Sequence, residues 1–484
     1  MLQKTLLFLV LTLPLLLRAQ SDPPIRIELE TAKDQNDYLF ANAGEQGVYV
    51  FFESRMPSAD STAWAFVCYD TNLQKKFHFV IPMPAHTQYI AHARSDQYLY
   101  FLFQKNLPKK EPTATYLLTV DLTAPRYHLR PLPEFTHRQP VGLHAADGHL
   151  LIHATDSRRD SIFFLNPSNG SLFCIRDLFP YRAEFCTADT SHHRWLIGLR
   201  TNKNEKEEEL FLYEYNYLTG ASQIYNFPST PNLTYNSARA FLVNADTLLI
   251  AGTYNSLQNR YSSNLHSGVY TMLYHNHQID SAKIFNYSNL KGKETENATL
   301  PNDLNLQLIV GPTAHNDLQY TFITEVYYPE YDYNYNYYDP YYSAGPTTSS
   351  TFAGYHFTHA YITTFNRSGD LVWDHYFPFN SLISMQLRNF LQVSYLDQDA
   401  IIYYPRNNRI HSTLVNQYDV LERISSINIE TTNSREVVEY NRGTEVMPWY
   451  RNYYLVAGYQ NLKNKDKKIR PTRYVFFINK LEYR

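Results

Sequence analysis

Short apolar runs recur along the chain about fifty residues apart, and this spacing limits what the chain can fold into more than any other feature. Most runs follow a polar turn such as Ser95-Asp96 and are rich in aromatic or β-branched residues, which is typical of strands. The runs comprise residues 47–52, 97–103, 149–153, 194–198, 247–251, 318–322, 400–404 and 453–457. The composition agrees, because 43 Tyr and 28 Phe suit pleated, half-buried surfaces. We therefore expect many strands and few helices.

A second series of strands sets the phase of the repeat. Each apolar run is followed by a strand that is predicted to end in Asp or Asn, whose side chains bond back to the backbone and tolerate tight turns. Where Gly follows, as in Asn216-Tyr-Leu-Thr-Gly220, it supplies the left-handed turn residue. The series consists of Asp70, Asp121, Asn166, Asn216, Asn276, Asn366, Asn416 and Asn479.

Each unit therefore reads as strands A, B and C, an Asx turn and strand D. A single four-stranded sheet cannot bury both of its faces, whereas radial stacking of successive sheets can. We predict an all-β fold, a β-propeller of eight blades with four antiparallel strands each, with seven blades as the alternative.

The last unit lacks a full outer strand, because only residues 480–484 follow Asn479. We expect the N-terminal strand, residues 25–30, to pair with the last blade and close it.

Two segments carry a resemblance to known propellers. The turn Asn216–Gly220 and the segment Asn366-Arg-Ser-Gly-Asp-Leu-Val-Trp373 look like the C–D turn and tryptophan of quinoprotein-type repeats. They are also similar to turns in uncharacterised secreted propeller proteins of Bacteroidota-type bacteria. In quinoproteins these tryptophans dock neighbouring blades and do not hold the cofactor. The resemblance covers the repeat phase across the chain and implies the fold, but it implies nothing about catalysis.

Residues 1–19 have the pattern of a signal peptide. Lys4 precedes the apolar run 6–17, and cleavage is expected after Ala19. The run is too short for a comfortable membrane span, although an uncleaved anchor is the alternative. We expect an exported chain, periplasmic or extracellular, with one propeller domain over residues 20–484 and no transmembrane span after signal removal.

Charge and cysteine content exclude several classes of protein. A net charge of −3 leaves no broad basic face for nucleic acid. The three cysteines, Cys68, Cys174 and Cys186, are too few for a disulfide framework. Cys174 and Cys186 could pair, but buried free thiols are the favoured interpretation. We predict a monomer.

Histidine is the remaining candidate metal ligand, but the spacing of the histidines in the sequence is not typical of a metal site. The pair His192-His193 lacks a third ligand nearby in the sequence. His356 and His359 flank a predicted strand, where a three-residue spacing places side chains on opposite faces of the sheet. We predict no metal site and no cofactor.

The long insertions fall almost entirely between strands B and C, so they emerge at one end of the predicted ring. Long loops on a rigid scaffold commonly carry function, which makes this end the candidate binding surface. The insertion 325–354 is rich in tyrosine, which offers a flat apolar face and a hydroxyl to a protein or glycan ligand. The alternative is a hairpin extension whose tyrosines pack on one another. The candidate ligand-binding residues are Tyr327, Tyr328, Tyr331, Tyr333, Tyr335, Tyr337, Tyr338, Tyr341 and Tyr342.

The sequence contains none of the serine-hydrolase, zinc-protease, phosphate-loop or dinucleotide motifs. We therefore predict a binding or scaffold module rather than an enzyme. The alternative is a glycan-directed hydrolase or lyase at the central channel, where Glu184, Arg239, Gln386 and Arg388 fall on innermost strands. An outer-membrane β-barrel is a lesser alternative, because the run 453–457 is apolar on both sides instead of alternating.

Overall fold

The computed structural model shows a ring of antiparallel sheets. It describes residues 25–33, 35, 37–54, 61–105, 114–136, 138–155, 160–175, 182–204, 207–228, 232–256, 265–290, 306–335, 348–396, 398–416, 420–465 and 472–482. Within these residues the strands form eight sheets of four or five strands. The fold is a β-propeller, as predicted, and its sheet count agrees with the predicted eight blades. The predicted signal segment lies outside the described residues.

The strands are numbered in chain order, and β1 (Arg26–Thr31) precedes blade 1. Blades 1 and 2 contain β2 (Tyr38–Asn42), β3 (Val48–Ser54), β4 (Ser61–Tyr69) and β5 (Lys75–Pro84), then β6 (Thr87–Arg94), β7 (Tyr98–Lys105), β8 (Ala114–Asp121) and β9 (Tyr127–Pro131). Blades 3 and 4 contain β10 (Gln139–Ala146), β11 (His149–Thr155), β12 (Asp160–Leu165) and β13 (Leu172–Cys174), then β14 (Arg182–Ser191), β15 (Arg194–Asn204), β16 (Glu207–Asn216) and β17 (Ser222–Asn226).

Blade 5 contains β18 (Leu233–Tyr235), β19 (Arg239–Asn244), β20 (Thr247–Ser256), β22 (Gly268–His275) and β23 (Gln278–Asn286). Blade 6 contains β24 (Leu306–His315), β25 (Gln319–Tyr335), β26 (Thr348–Asn366) and β27 (Leu371–Ser384), with the short β21 (Leu265–His266) beside β24. Blade 7 contains β28 (Gln392–Leu396), β29 (Asp399–Arg406), β30 (Arg409–Val415) and β31 (Val420–Asn428). Blade 8 contains β32 (Glu436–Pro448), β33 (Tyr453–Asn464) and β34 (Thr472–Glu482). The helices among the described residues are the 3₁₀ turns Gly44–Gln46, Pro133–Phe135 and Tyr287–Asn289.

The Asx residues close the C–D turns as their chemistry predicts. The side-chain oxygens of Asp70, Asp121 and Asn216 each accept a hydrogen bond from the backbone N–H two residues later, at 2.8, 2.8 and 3.0 Å. Asn166 and Asn366 make the same contact at 3.0 and 2.9 Å. Each contact satisfies a backbone donor inside the turn, so the chain can reverse without a longer loop.

Asn479 departs from this pattern. It was predicted to end a strand, but β34 continues to Glu482 and the Asn479 side chain is fully buried. Its Oδ1 accepts a hydrogen bond from Arg26 at 2.8 Å, and its Nδ2 donates to the Glu430 carbonyl at 3.2 Å. A buried amide of this kind needs partners for both of its ends, and here the N-terminal strand supplies one of them.

The N-terminal strand closes the last blade, as predicted. β1 pairs antiparallel with β34, with Arg26 opposite Asn479 and Thr31 opposite Tyr474, and becomes the outer strand of blade 8. Without β1, the backbone groups of β34 would form an open edge, which is a template for aggregation. The Glu28 carboxylate accepts hydrogen bonds from the side chains of Arg26, on the same strand, and Arg473, on β34, and the Arg473 ion pair ties β1 to β34.

Alternate side chains of a strand pack against different neighbouring blades. In β3, Val48 and Val50 belong to the apolar cluster shared with blade 8, whereas Tyr49 and Phe51 belong to the cluster shared with blade 2. The other blades follow the same rule, so eight clusters join the eight sheets into a continuous ring. Trp373 packs in the cluster between blades 6 and 7.

A buried carboxylate links blades 6 and 7. The Glu325 side chain is fully buried, and its two oxygens accept hydrogen bonds from the backbone N–H groups of Phe390 and Leu391 at 3.0 Å. Burial raises the pKa of Glu325 to about 8, although these hydrogen bonds act in the opposite direction.

We expect Glu325→Gln to remove one part of the pH dependence of stability. Between pH 4.5 and 8 the folded chain binds a proton on Glu325 that the unfolded chain does not, so wild-type stability falls as the pH rises through this window. The free energy of unfolding of wild type relative to the variant should therefore fall by roughly 4 to 5 kcal/mol across this window, given about 1.4 kcal/mol per pKa unit. Urea unfolding at both pH values measures this, and Glu45→Gln, at an exposed site, is the control. A constant difference between wild type and Glu325→Gln would contradict it.

We expect Ile27→Asp to weaken the closure of the ring. Ile27 is buried in the cluster between blades 8 and 1, where an aspartate would place a charged group among apolar side chains. The loss of unfolding free energy should be about 3 kcal/mol, which chemical denaturation measures. Glu30→Gln, on the exposed side of the same strand, should change stability by less than about 0.5 kcal/mol. Equal stability of the two variants would show that β1 is not needed for closure.

Candidate functional site

The strand order gives the ring two distinct ends. In every blade the strands are antiparallel, so B–C connections emerge at one end and A–B and C–D turns at the other. We name these the B–C end and the A–B end. All the predicted long insertions connect a B strand to a C strand and therefore lie at the B–C end.

Blade 6 extends beyond the other blades at the B–C end. Its strands β25 and β26 have 17 and 19 residues, whereas the B and C strands of blade 1 have 7 and 9. At a rise of roughly 3.3 Å per residue, the excess of ten residues in each strand is a projection of roughly 33 Å. We name residues 327–335 and 348–357 the blade 6 extension.

A row of aromatic rings runs along one face of this extension. Tyr331 contacts Phe352 with ring centroids 5.6 Å apart, Phe352 contacts Tyr355 at 5.0 Å, and Tyr355 contacts Tyr327 at 5.6 Å. Tyr327 also contacts Phe357 at 5.8 Å, and Phe357 is buried in the cluster between blades 6 and 7. The contacts are edge-to-face or tilted, a favourable arrangement for aromatic pairs. The row therefore anchors the extension to the core of the ring.

The opposite face of the extension carries exposed apolar side chains. Tyr328 is 44% exposed and its hydroxyl bonds to Nδ1 of His356 at 2.7 Å. Ile383 lies opposite His356 on the neighbouring strand and is 52% exposed. Met385 and Leu387 lie in the connection that follows the end of β27 and are 66% and 41% exposed. We name Tyr328, Ile383, Met385 and Leu387 the B–C patch.

The predicted tyrosines thus have different roles. Tyr327 packs inside the aromatic row, which is the alternative interpretation of this insertion, whereas Tyr328 and Tyr331 are nearly half exposed. Tyr333 and Tyr335 pair with Ser350 and Thr348 through the backbone, and their side chains lie outside the described part of the chain. Tyr337, Tyr338, Tyr341 and Tyr342 lie wholly outside the described residues.

The prediction for His356 and His359 is wrong. Phe357 and Ala360 both pack toward blade 7, because a β-bulge at Thr358 inserts an extra residue between them. The two histidines therefore lie on the same face of β26. They have different surroundings, since His359 is buried and stacks on Tyr376 at 4.8 Å between ring centroids. Burial lowers the pKa of His359 to about 4. Within the described residues, no group of three or more His, Cys, Asp or Glu side chains is placed to hold a metal ion.

Ion pairs join the innermost strands. Arg239 lies 3.3 Å from Oδ1 of Asp189, and Oδ2 of Asp189 accepts a hydrogen bond from the Ala240 N–H at 3.1 Å. Burial raises the pKa of Asp189, although the Arg239 guanidinium favours the charged form. Gln386 and Arg388 were predicted on an innermost strand, but both lie in the connection between β27 and β28. Arg388 lies 3.3 Å from Glu445 of the neighbouring blade. The predicted axial arginines are thus engaged with carboxylates.

The other two residues that the sequence placed at the central channel are Gln386 and Glu184. Gln386 is exposed, and its backbone N–H donates to the Ser384 hydroxyl at 3.2 Å. Glu184 lies on β14, opposite Arg200, but its side chain is outside the described part of the structure.

A cavity of about 370 Å³ opens at the A–B end, where the innermost strands of blades 4, 5 and 6 finish. Asp189 and His192 line it from blade 4, Phe241 from blade 5, and His315 and Tyr320 from blade 6. Sequence reasoning did not identify this site, because its residues come from three units and share no motif.

The described cysteine Cys68 is a buried free thiol, and burial raises its pKa. The possible pairing of Cys174 with Cys186 involves a side chain outside the described part of the structure. Among the described residues, no helix has both the length and the apolar character that crossing a bilayer requires.

No protein-family model matches the chain, and no curated protein matches it. Among solved structures, the chain is similar to the β-propeller domain of the Trilobed protease from Pyrococcus furiosus, with 6% identity and a TM-score of 0.39 over 79% of this chain and 96% of that chain. It is similar to the polysaccharide lyase Uly1, with 9% identity and a TM-score of 0.41 over 94% of this chain and 100% of that chain. A variant of Synechocystis apocarotenoid oxygenase has 9% identity and a TM-score of 0.31, over 51% of this chain and 60% of that chain. These likenesses concern the fold alone.

Proposed function

We propose that this chain is an exported binding propeller that docks a protein partner on the B–C patch. The observation that carries the proposal is the blade 6 extension, a projection fixed by its aromatic row with an exposed apolar face. Binding surfaces gain affinity when they are rigid before the partner arrives, because little conformational entropy is then lost on association.

The chemistry of the B–C patch favours a protein over a sugar. Ile383, Met385 and Leu387 are aliphatic and offer no hydrogen bonds to hydroxyl groups. Exposed apolar groups gathered in one place commonly mark protein contacts, and Tyr and Met are enriched at the centres of such interfaces. Tyr328 adds a large flat surface whose hydroxyl is already held by His356.

The alternative function is a glycan-directed hydrolase or lyase at the central channel. Two of the described inner carboxylates, on Asp189 and Glu445, each lie 3.3 Å from an arginine nitrogen, which favours a positioning role over catalysis. The release of reducing or unsaturated ends from a panel of polysaccharides would support the enzyme instead.

We expect the double variant Ile383→Ser, Met385→Ser to lose the partner. Wild-type chain would capture a protein from the extracytoplasmic fraction of the cells that encode it, and the captured protein would then be titrated against each variant. The Kd of the double variant should rise at least about tenfold, since two exposed anchors are removed. Leu218→Ser, which changes an exposed leucine in a turn at the A–B end, should bind like wild type. Equal affinity of the double variant and wild type, or the capture of no specific protein, would contradict the proposal.

We expect the signal segment to be removed during export. The mature chain should begin at Gln20, and mass spectrometry of the chain recovered from outside the cytoplasm measures this. Leu11→Arg places a charge in the apolar run and should leave the full-length chain in the cytoplasm, whereas Leu11→Ile should not. Export of the Leu11→Arg chain with residues 1–19 intact would contradict the assignment.

A further inference from the structure

The cavity at the A–B end is a separate site from the B–C patch. It lies at the opposite end of the ring, and none of its lining residues belongs to the blade 6 extension. Its volume of about 370 Å³ is at the lower end of the range of small-molecule sites. The ends of three neighbouring innermost strands form it, so its walls belong to the most constrained part of the fold.

One wall of the cavity is aromatic. The ring of Phe241 lies 4.8 Å from Tyr320 and 6.2 Å from His315, and His315 lies 6.0 Å from Tyr320. Phe241 and Tyr320 are buried in the cluster between blades 5 and 6, so their positions are fixed by packing. His315 is exposed and extends this wall toward solvent. Aromatic walls of this kind offer an apolar surface against which a sugar ring can stack.

The polar groups around this wall are held in place before any ligand binds. Arg239 and the Ala240 N–H fix the Asp189 carboxylate. Asn316 accepts backbone hydrogen bonds from Leu318 and Gln319 at 2.9 and 2.8 Å, which fixes the turn that carries Asp317. A site ordered in this way loses little conformational entropy when it binds a ligand.

The charges of the lining residues are mixed. Asp189 and Asp317 are acidic, whereas Arg367 is basic, and Asp189 is already neutralised by Arg239. A phosphate or polycarboxylate ligand would be repelled by the carboxylates of the cavity, and a cationic ligand would be repelled by Arg367. A ligand with many hydroxyl groups can instead donate to the carboxylates and accept from the guanidinium.

We propose that this cavity binds a neutral carbohydrate, with one sugar ring stacked on the exposed ring of His315, which Phe241 and Tyr320 support from behind. Hydroxyl groups of that ring donate to Asp317 and accept from Arg367. The site is independent of the partner surface proposed for the B–C end. The occupant is defined by its chemistry, as one or two sugar rings without phosphate, sulfate or carboxylate groups.

The test uses the full mature chain and a panel of soluble neutral di- to tetrasaccharides built from glucose, galactose, mannose or xylose, with uronic-acid and sulfated oligosaccharides as a second panel. Isothermal titration calorimetry measures affinity. At least one neutral member should bind, and His315→Ala and Asp317→Ala should each weaken it about tenfold or more, through loss of stacking and of a hydrogen-bond acceptor.

Asp96→Ala is the matched control, because Asp96 occupies the corresponding A–B turn of blade 2 and lies outside the cavity. It should bind like wild type, as should the Ile383→Ser, Met385→Ser double variant, and all variants should melt at the wild-type temperature. Three results would overturn the proposal: no binding by any neutral member, unchanged affinity in both cavity variants, or binding confined to the anionic panel. None of these results depends on whether a protein docks at the B–C end.

Discussion

The packing of each sheet between two others is the constraint on which this structure depends. A four-stranded sheet with aromatic side chains on both faces is unstable alone, because neither face would be removed from water. Here Tyr49 and Phe51 pack toward blade 2 while Val48 and Val50 pack toward blade 8, and the other blades repeat this division. The pairing of β1 with β34 completes blade 8, which packs against blade 1 and so joins the two ends of the ring.

The sequence predicted those parts of the fold that depend on local chemistry. The Asx turns at residues such as Asp70 and Asn216 follow from hydrogen bonds within a few residues, and the short last unit indicated that β1 was needed to complete it. The bulge at Thr358 was not predictable, because it depends on how β26 registers against two neighbours. Asn479 was misread for a related reason, since its partner Arg26 lies at the other end of the chain.

The two candidate sites also differ in how far they could be predicted from the sequence. The blade 6 extension was visible as a tyrosine-rich insertion, but which tyrosines pack and which are exposed depends on the alternation of side chains along paired strands. Tyr327 and Tyr328 are neighbours in the sequence and face opposite sides of the sheet. The cavity at the A–B end left no local signal, because Asp189 and Asp317 come together only when the blades close into a ring.

Glu325 connects the stability of the ring to the surface proposed for binding. It lies on β25 where the extension begins, and its carboxylate holds the N–H groups of Phe390 and Leu391. These residues end the connection that carries Met385 and Leu387, so both sides of the B–C patch are fixed by a group inside the core. A buried carboxylate is costly unless it is well hydrogen-bonded, whereas an apolar residue here would leave two backbone donors without acceptors. The position of the patch therefore depends on the packing between blades 6 and 7.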